Sequence, residues 1–554
     1  MSPHHWVLPL PSDSRKRAGK LALLLVGLVV PVATVSAQVT SPKQIVDPLK
    51  PDAPLTGTTP PADTIVAPKL PRVSGAAASE TKITVQRIEF NGNTLFTTAE
   101  LQAVVAGYLN RAISLVEIYS AADAVADLYI QKGYALATVN VPPQRVTDGS
   151  ILFQVSEGRV ANVAVTGNDR YAADHVVSYL DQFRAGKIYQ AEDLQSGLRT
   201  LNSLPGLSAR ASIKPGETPD TSDVTIQLTE DPFQGSLFVD NYGRESVGEY
   251  RATAVATFNN PFYIEDQLSL VGLVSENSLA RFGSVTYSRP LNFSGTRLRM
   301  NYAHAEFEVD DLPVDGRSRS GEVALEQALL RDARQTLSGS FGVSRSLSNA
   351  DFTGLVFNQT SITLFRLGLA YTRTYDNSSV TQVSTSLSSN FQSNTPGEAA
   401  LGTDSGDQRL KWDLDVQHLL QLSRAFQLYM RVNGAWSPDP LVDTEKYSLG
   451  GPGNVRAFPG AELRGDSGYF GSIALRHTMP LGPASLRSRI FADSGRVFAD
   501  EGIDPGSLSD VGLGVDVVVQ PVTFSLDWAY PLGNREVSDD RDSGRAFGSL
   551  SASF

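Results

Sequence analysis

The chain has no cysteine in 554 residues, so a disulfide framework, a thiolate nucleophile and a thiolate metal site are all excluded. It also lacks a positive balance. The formal net charge is -12, which argues against nucleic acid as a partner. Of its six histidines only His4 and His5 adjoin, at the N-terminus, and the other four are scattered singly, so no metal cluster, and no metal or other cofactor, is expected. No Ser-His-Asp arrangement stands out among them, and enzyme activity is not expected. Beyond the N-terminus no apolar run is long enough to cross a bilayer as a helix, although 41% of the residues are hydrophobic.

What is present begins with a secretory signature over residues 1–37. Arg15, Lys16, Arg17 and Lys20 precede the apolar run "LALLLVGLVVPVAT", and Val35 and Ala37 offer small residues for cleavage before Gln38. The chain is therefore expected to cross an inner membrane. Residues 38–80 are rich in Pro, Thr and Ala, which favours an extended linker and shows no amphipathic helix.

Two copies of one small α+β module follow, over residues 81–158 and 159–230. In the first, "ITVQRIEFNGN" reads as a strand ending in an Asn-Gly turn. Thr97 and Glu100 have capping-box spacing at the start of a helix with Leu101, Val104, Val105 and Tyr108 on one face. A second helix, "VEIYSAADAVADLYIQKGY", is stopped by Gly133, and two strands close the unit. The same strand-helix-helix-strand-strand order recurs from "RVANVAVTGN" to "DVTIQLTED". Leu101, Val104, Val125, Leu128, Leu194, Leu198 and Leu201 read as core.

From residue 231 to 554 the period changes to two. "VTFSLDWAY" sets Val522, Phe524, Leu526, Trp528 and Tyr530 against Thr523, Ser525 and Asp527, and "AFQLYMRVNGAW" and "RLKWDLDVQ" behave alike. A soluble sandwich also alternates. Here, though, the polar faces carry Arg, Asp and Asn while the apolar faces carry Trp and Tyr, which suits a barrel with lipid outside and water inside. About sixteen strands can be counted, with short turns after even strands and long loops after odd ones. The fold class expected is thus a transmembrane β-barrel of about sixteen antiparallel strands behind two periplasmic α+β modules. The long connections read as loops include "EVDDLPVDGRSRS", "SLSNADFTGLVFNQT", "NFQSNTPGEAALGTDSGD" and "PLGNREVSDDRDSG".

One loop, "GGPGNVRAFPGAELRGDSGYF", is set apart by Gly450, Gly451, Gly465 and Gly468 around the tip Val455-Arg456-Ala457-Phe458. No Lys-Ser/Thr and no helix follow its glycines, so it is not a nucleotide loop. In "SLRSRIFADSGRV" the alternation puts Arg487, Arg489, Phe491 and Asp493 on one face, and arginines cannot favourably face hydrocarbon. Asp493 is therefore expected to point into the lumen.

These residues carry a resemblance. "GYALATVNVPPQRVTDGSILFQVSEG" resembles the closing half of a POTRA module, "GGPGNVRAFPG…GDSGYF" the loop-six motif, and "FADSGRV", with Phe491, Asp493 and Gly495, the strand motif of the TpsB or haemolysin-activator transporters of two-partner secretion, in the BamA superfamily. Ala457 stands where that family usually has Gly. The resemblance implies that loop 438–467 folds back into the barrel with Arg456 paired to Asp493. It implies an outer-membrane pore that recognises a secreted, TpsA-like exoprotein in the periplasm and translocates it without ATP. It also implies outer-membrane lipids as neighbours, and insertion by the barrel-assembly machinery through Phe554. The competing readings are a barrel insertase and, less so, a porin or barrel enzyme. The family often has a plugging helix ahead of the modules, which the Pro-rich stretch does not show.

Overall fold

The computed structural model describes residues 65–66, 82–180, 183–310, 312–394, 409–499, 505–533 and 544–554. The expected signal segment, the question of a plugging helix and nearly all of the Pro-rich stretch lie outside the described residues, as do 395–408 and 534–543 within two of the expected loops. From the Pro-rich stretch, β1 (Ile65–Val66) lies parallel to Ala211–Ser212.

The first module contains β2 (Lys82–Val85), β3 (Arg87–Asn91), α1 (Thr98–Val105), β4 (Arg111–Ser114), α2 (Leu115–Gln131), β5 (Thr138–Asn140) and β6 (Ser150–Ser156). The single strand expected over "ITVQRIEFNGN" is two. The chain breaks at Gln86, where the Gln86 and Arg87 amides both donate to Gly149 O, and β2 turns aside to pair with β4. Four residues are too few to show a period, so β4 left no signal in the sequence. Thr97 caps α1 through the expected box: Glu100 N donates to Thr97 Oγ1, and Thr97 N donates to Glu100 Oε2. Gly133 ends α2 at φ 92°, a left-handed position where a side chain would strain the backbone. Leu101, Val105, Val125 and Tyr129 form the core under the sheet.

The second module repeats the plan with β7 (Arg159–Thr166), α3 (Ala173–Ser178), α4 (Ala191–Leu201), β8 (Leu207–Pro215) and β9 (Thr221–Glu230). β3 and β6 of the first module run parallel, as do β7 and β9 of the second, and the penultimate strands β5 and β8 are antiparallel to the last. The repetition extends to one polar device. Glu157, at the end of the first module, accepts the amides of Thr94 and Leu95; Glu230, at the end of the second, accepts those of Asp169, Arg170 and Tyr171. Each carboxylate thus satisfies the loop that leaves the module's first sheet strand, a loop whose amides have no ladder partner.

β9 leads into the barrel. Its strands are β10 (Phe233–Asp240), β11 (Arg251–Asn259), β12 (Gln267–Ser275), β13 (Ala280–Pro290), β14 (Thr296–Glu308), β15 (Val314–Arg331), β16 (Gln335–Phe352), β17 (Leu355–Thr374), β18 (Val380–Asn394), β19 (Leu410–Gln421), β20 (Phe426–Trp436), β23 (Ser467–Leu481), β24 (Ala484–Phe498), β25 (Gly506–Val519), β26 (Val522–Pro531) and β27 (Arg545–Ser553). They close antiparallel, in sequence order, with β27 beside β10. β21 (Tyr447–Leu449) and β22 (Leu463–Gly465) make a separate hairpin between β20 and β23. Closure leaves no edge, which is what permits strands to cross a bilayer. Val522, Phe524, Leu526, Trp528 and Tyr530 are all exposed on the outside, as the alternation requires.

Two expected loops are largely strand. β14 and β15 pair up to Glu308–Asp315, leaving only a short connection from "EVDDLPVDGRSRS". β16 and β17 pair up to Phe352–Leu355, turning at Thr353 and Gly354 with φ 51° and 81°, so "SLSNADFTGLVFNQT" is the end of a hairpin. Beyond the hydrocarbon layer, an antiparallel ladder needs no apolar face. Polar Ser and Asn therefore continue it, and composition alone reads them as loop.

The second module sits against the short turns of the barrel. Tyr179 OH and His175 Nδ1 both meet the Glu265 carboxylate, and Tyr179 and Phe293 stack edge to face at 4.9 Å. Asn260 Nδ2 donates to Arg170 O. The turns at 260–266 and 291–295 are therefore on the module side, and the loop between β20 and β23 starts from the opposite rim.

Candidate functional site in the barrel lumen

The connection between β20 and β23 turns inward. Its β21–β22 hairpin packs on β23 and β24, and two glycines decide how closely. A methyl group at Gly468 would come within 2.3 Å of Tyr447 Cδ1, and one at Gly495 within 2.6 Å of Leu449 Cδ1. Gly495 is thus the wall position that admits the hairpin. Gly468 belongs to β23 and not to the loop, a correction to its reading as a loop glycine. Gly465 ends β22. Gly450 and Gly451 carry the chain out of β21 at φ 108° and 107°, conformations that a side chain would strain. Asn454 Oδ1 then accepts the amides of Gly450 and Val455, closing the bend before the tip.

All four tip residues are buried. Val455, Ala457 and Phe458 join Leu449, Tyr429, Phe470, Phe491 and Leu508 in one apolar cluster inside the barrel. Ala457 is absent from the left-handed positions of the loop, which are Gly450, Gly451 and Ala461. Alanine in place of glycine therefore costs this tip no backbone strain.

Arg456 ends this approach against the wall. Its Nη2 donates to Asp493 Oδ1 at 3.4 Å and its Nε lies 3.0 Å from Asp493 Oδ2, an ion pair met side-on. Nη2 also donates to Ser472 Oγ at 3.4 Å, and Nη1 lies 3.9 Å from Asp527 Oδ2. The guanidinium sits 3.7 Å from the centroid of the Phe491 ring. The side chains are 9% and 0% exposed for Arg456 and Asp493. This decides between two regimes. An exposed pair would contribute about 0–1 kcal/mol, whereas removing one partner of a desolvated pair costs about 3–5 kcal/mol.

Asp510 and Asp516, which the sequence did not single out, and Arg489, already expected on the luminal face, complete the site. Asp510 stands directly across from Asp493 on β25, and its Oδ2 accepts the Ala457 amide at 2.7 Å. Arg489 bridges Asp516 and Asp527, with Nη1 to Asp516 Oδ1 and Nε to Asp527 Oδ1 both at 2.7 Å. Gly514 leaves room for that bridge, since a methyl there would come within 1.8 Å of Asp527 Oδ1. A signal was available. In "SDVGLGVDVVV" the outward Val511, Leu513 and Val517 leave Asp510 and Asp516 facing inward by parity.

Beside the loop the lumen keeps a cavity of about 1040 Å³, lined by Arg366, Lys411, Asp413, Asp415 and Arg431 among others. Arg431 donates to Asp415 Oδ2 from both Nε and Nη2, at 3.0 and 2.8 Å. Among the described residues no cluster of His, Asp and Glu has the arrangement of a metal site.

A closed sixteen-strand barrel, two α+β modules on its periplasmic side and a rim loop buried against the inner wall define the class: an outer-membrane β-barrel of the two-partner secretion transporter type. The chain belongs to the family described as haemolysin secretion/activation protein ShlB/FhaC/HecB, whose profile matches residues 220–517. The profile of the ShlB-type POTRA domain matches residues 83–158. The outer membrane transporter CdiB of Escherichia coli is 25% identical over 474 residues, covering 81% of this chain and 79% of that protein. The hemolysin transporter protein ShlB of Serratia marcescens is 26% identical over 445 residues, covering 78% and 77%. Among solved structures, CdiB from Escherichia coli superposes with a TM-score of 0.67 at 22% identity, covering 88% of this chain and 94% of that one, and shares the fold.

Proposed function

We propose that this chain recognises an unfolded, TpsA-like exoprotein through its POTRA modules and passes it in extended form through the barrel to the cell surface. The observation that carries the reading is the buried tip. Arg456, Ala457 and Phe458 occupy the lumen, beside a cavity of about 1040 Å³. Transport then requires the loop to leave the wall. The Arg456–Asp493 pair holds it there until a segment of cargo competes for the lumen. The modules supply the capture step by β-augmentation, in which backbone bonds give affinity and alternate side chains give selectivity.

No step calls for ATP. Folding of the cargo outside supplies direction, and the chain carries out no chemical reaction of its own. Lipids contact the apolar outer face. Phe554, exposed and laid against Gly235 at the seam, is the residue that the barrel-assembly machinery reads. The seam favours the transporter over an insertase. β10 and β27 pair from Ser236–Ser553 to Asp240–Ser549, and Gly235 and Phe554 exchange both backbone bonds, so no lateral opening is needed for this route.

The absence of native cysteine makes a direct test clean. A Leu449→Cys/Gly495→Cys pair joins loop to wall where the two residues touch. Secretion of the cognate exoprotein should stop when the pair is oxidised and return on reduction. Secretion at the wild-type rate with the bond formed would refute a moving loop.

A further inference from the structure

The outer rim of the barrel is not uniform. β19, β20, β23 and β26 carry exposed Trp412, Trp436, Tyr469 and Tyr530 near their external ends, the aromatic girdle expected at a membrane boundary. β13, β15 and β16 carry arginine instead. On β15 the exposed Val323 and Leu325 fix the odd positions as outward, so Arg319 and Arg317 follow on the same face toward the external rim. On β16 the exposed Phe341 and Leu347 place Arg345 outward, and on β13 the exposed Val285 does the same for Arg281.

Register brings these side chains together. Arg281 and Arg317 both stand opposite Glu306 of β14, Arg319 stands opposite His304, and Arg345 stands opposite Gly321, two residues from Arg319. Same-face neighbours along a strand are about 7 Å apart, and diagonal cross-strand neighbours about 7–8 Å. Arg317, Arg319 and Arg345 can therefore converge on one group. Glu306 is the one carboxylate among the four arginines and feels the charge of Arg281 and Arg317, but it hydrogen-bonds to His304 at 3.1 Å, and among the described residues no arginine of the four comes within ion-pair distance of a carboxylate; Arg345 reaches Ser361 Oγ at 3.4 Å, so four cations stand against one carboxylate. Immediately below lie Tyr302, Val323 and Val343, and immediately above lies a carboxylate row, Glu308, Asp315 and Asp351.

Guanidinium groups at the edge of an apolar wall are costly without an anion. At this height the neighbours are lipid headgroups, and the outer leaflet of this membrane is built from a phosphorylated glycolipid. The carboxylate row repels an anion at its own level, which leaves the Arg319–Arg345 level for it. We propose that Arg281, Arg317, Arg319 and Arg345 bind the sugar-linked phosphates of the outer-leaflet glycolipid, fixing one such lipid on the β13–β16 side of the barrel. Planar forks suit phosphate oxygens, and the lipid chains continue down over Val323 and Phe341.

The test uses the full chain in detergent, with bis-phosphorylated lipid A, the same lipid with both phosphates removed, and inorganic phosphate as separate probes. Native mass spectrometry should find a discrete adduct with the phosphorylated lipid, weakened about tenfold or more in Arg317→Gln/Arg319→Gln/Arg345→Gln. Heat-modifiable migration reports that the variant barrel is folded; if the triple variant is not, Arg319→Gln and Arg345→Gln are compared singly. Equal binding of the dephosphorylated lipid overturns the proposal, as does wild-type binding by the folded variants. Displacement of the lipid by inorganic phosphate at matched concentration reduces the site to a simple anion site and overturns the lipid assignment.

Discussion

Asp493 and Asp510 face each other across β24 and β25, and the loop tip reaches both, one through the Arg456 guanidinium and the other through the Ala457 amide. Two buried carboxylates side by side repel, and the tip supplies the cation and the donor that let them coexist. The wall therefore needs the loop as much as the loop needs the wall.

Removing the cation should expose this dependence. Arg456→Ala leaves Asp493 buried and unpaired, a cost of about 3–5 kcal/mol borne by the loop. The barrel's ladder is untouched. Heat-modifiable migration should persist while secretion is lost and single-channel conductance becomes unsteady. Arg456→Lys keeps the charge but not the planar guanidinium or its contact with the Phe491 ring, and should fall between the two.

Asp510 should tolerate amidation better than truncation. In Asp510→Asn the side-chain oxygen still accepts the Ala457 amide. Asp510→Ala leaves that amide unsatisfied in a buried setting, costing about 1–3 kcal/mol. The measurement is the fraction of the Leu449→Cys/Gly495→Cys pair that crosslinks, expected to stay near the parent level with Asn and to drop with Ala. The reverse order would sink this account of the tip.

The fit of the hairpin predicts a compensating pair. Gly468→Ala drives a methyl into Tyr447 and should loosen the hairpin, lowering that crosslinking. Tyr447→Ala alone also loosens it by lost packing. Combined, the two should cost less than their sum, because the collision with the ring disappears and only the Arg496 carbonyl, at 3.0 Å, still crowds the methyl. Strict additivity would mean that the two residues do not touch.

Acid should open the first module at one loop. Burial alone would raise the Glu157 carboxyl, but donation from Thr94, Leu95 and the Tyr129 hydroxyl outweighs it and holds the group below its ordinary range. A carboxyl lowered on folding adds stability above its unfolded pKa, and that stability is lost as pH falls through the lowered value. Hydrogen exchange at Thr94 and Leu95 should stay slow at neutral pH, beyond the intrinsic pH dependence of exchange, and lose that protection below the usual carboxylate range. Glu157→Gln, which keeps an oxygen to accept both amides but carries no titrating charge, should show protection that no longer falls as the pH drops through the carboxylate range.

Much of the architecture was legible because its signals are local. An Asn-Gly or Gly-Asn turn and two successive helices mark each module within a few residues, and a capping box marks the first. Period-two alternation assigns inside and outside strand by strand, so Arg489 and Asp493 could be turned into the lumen without knowing their partners. The same parity on β25 held Asp510, but nothing local said that Asp510 would lie opposite Asp493. Register between strands does that, and register is a property of the closed sheet.

The amino-acid sequence by itself determined a barrel of sixteen strands behind a duplicated module, with one glycine-rich loop bearing a single arginine at its tip. Those features follow from side-chain periodicity and turn chemistry, which act over a few residues. Only the tertiary structure decided that hairpins continue past the membrane at β14–β17, that Gly468 and Gly495 are hollows for Tyr447 and Leu449, and that the arginine is almost dry. Desolvation depends on atoms brought from distant strands by ring closure and by the loop's return, and no short stretch of chain carries that information.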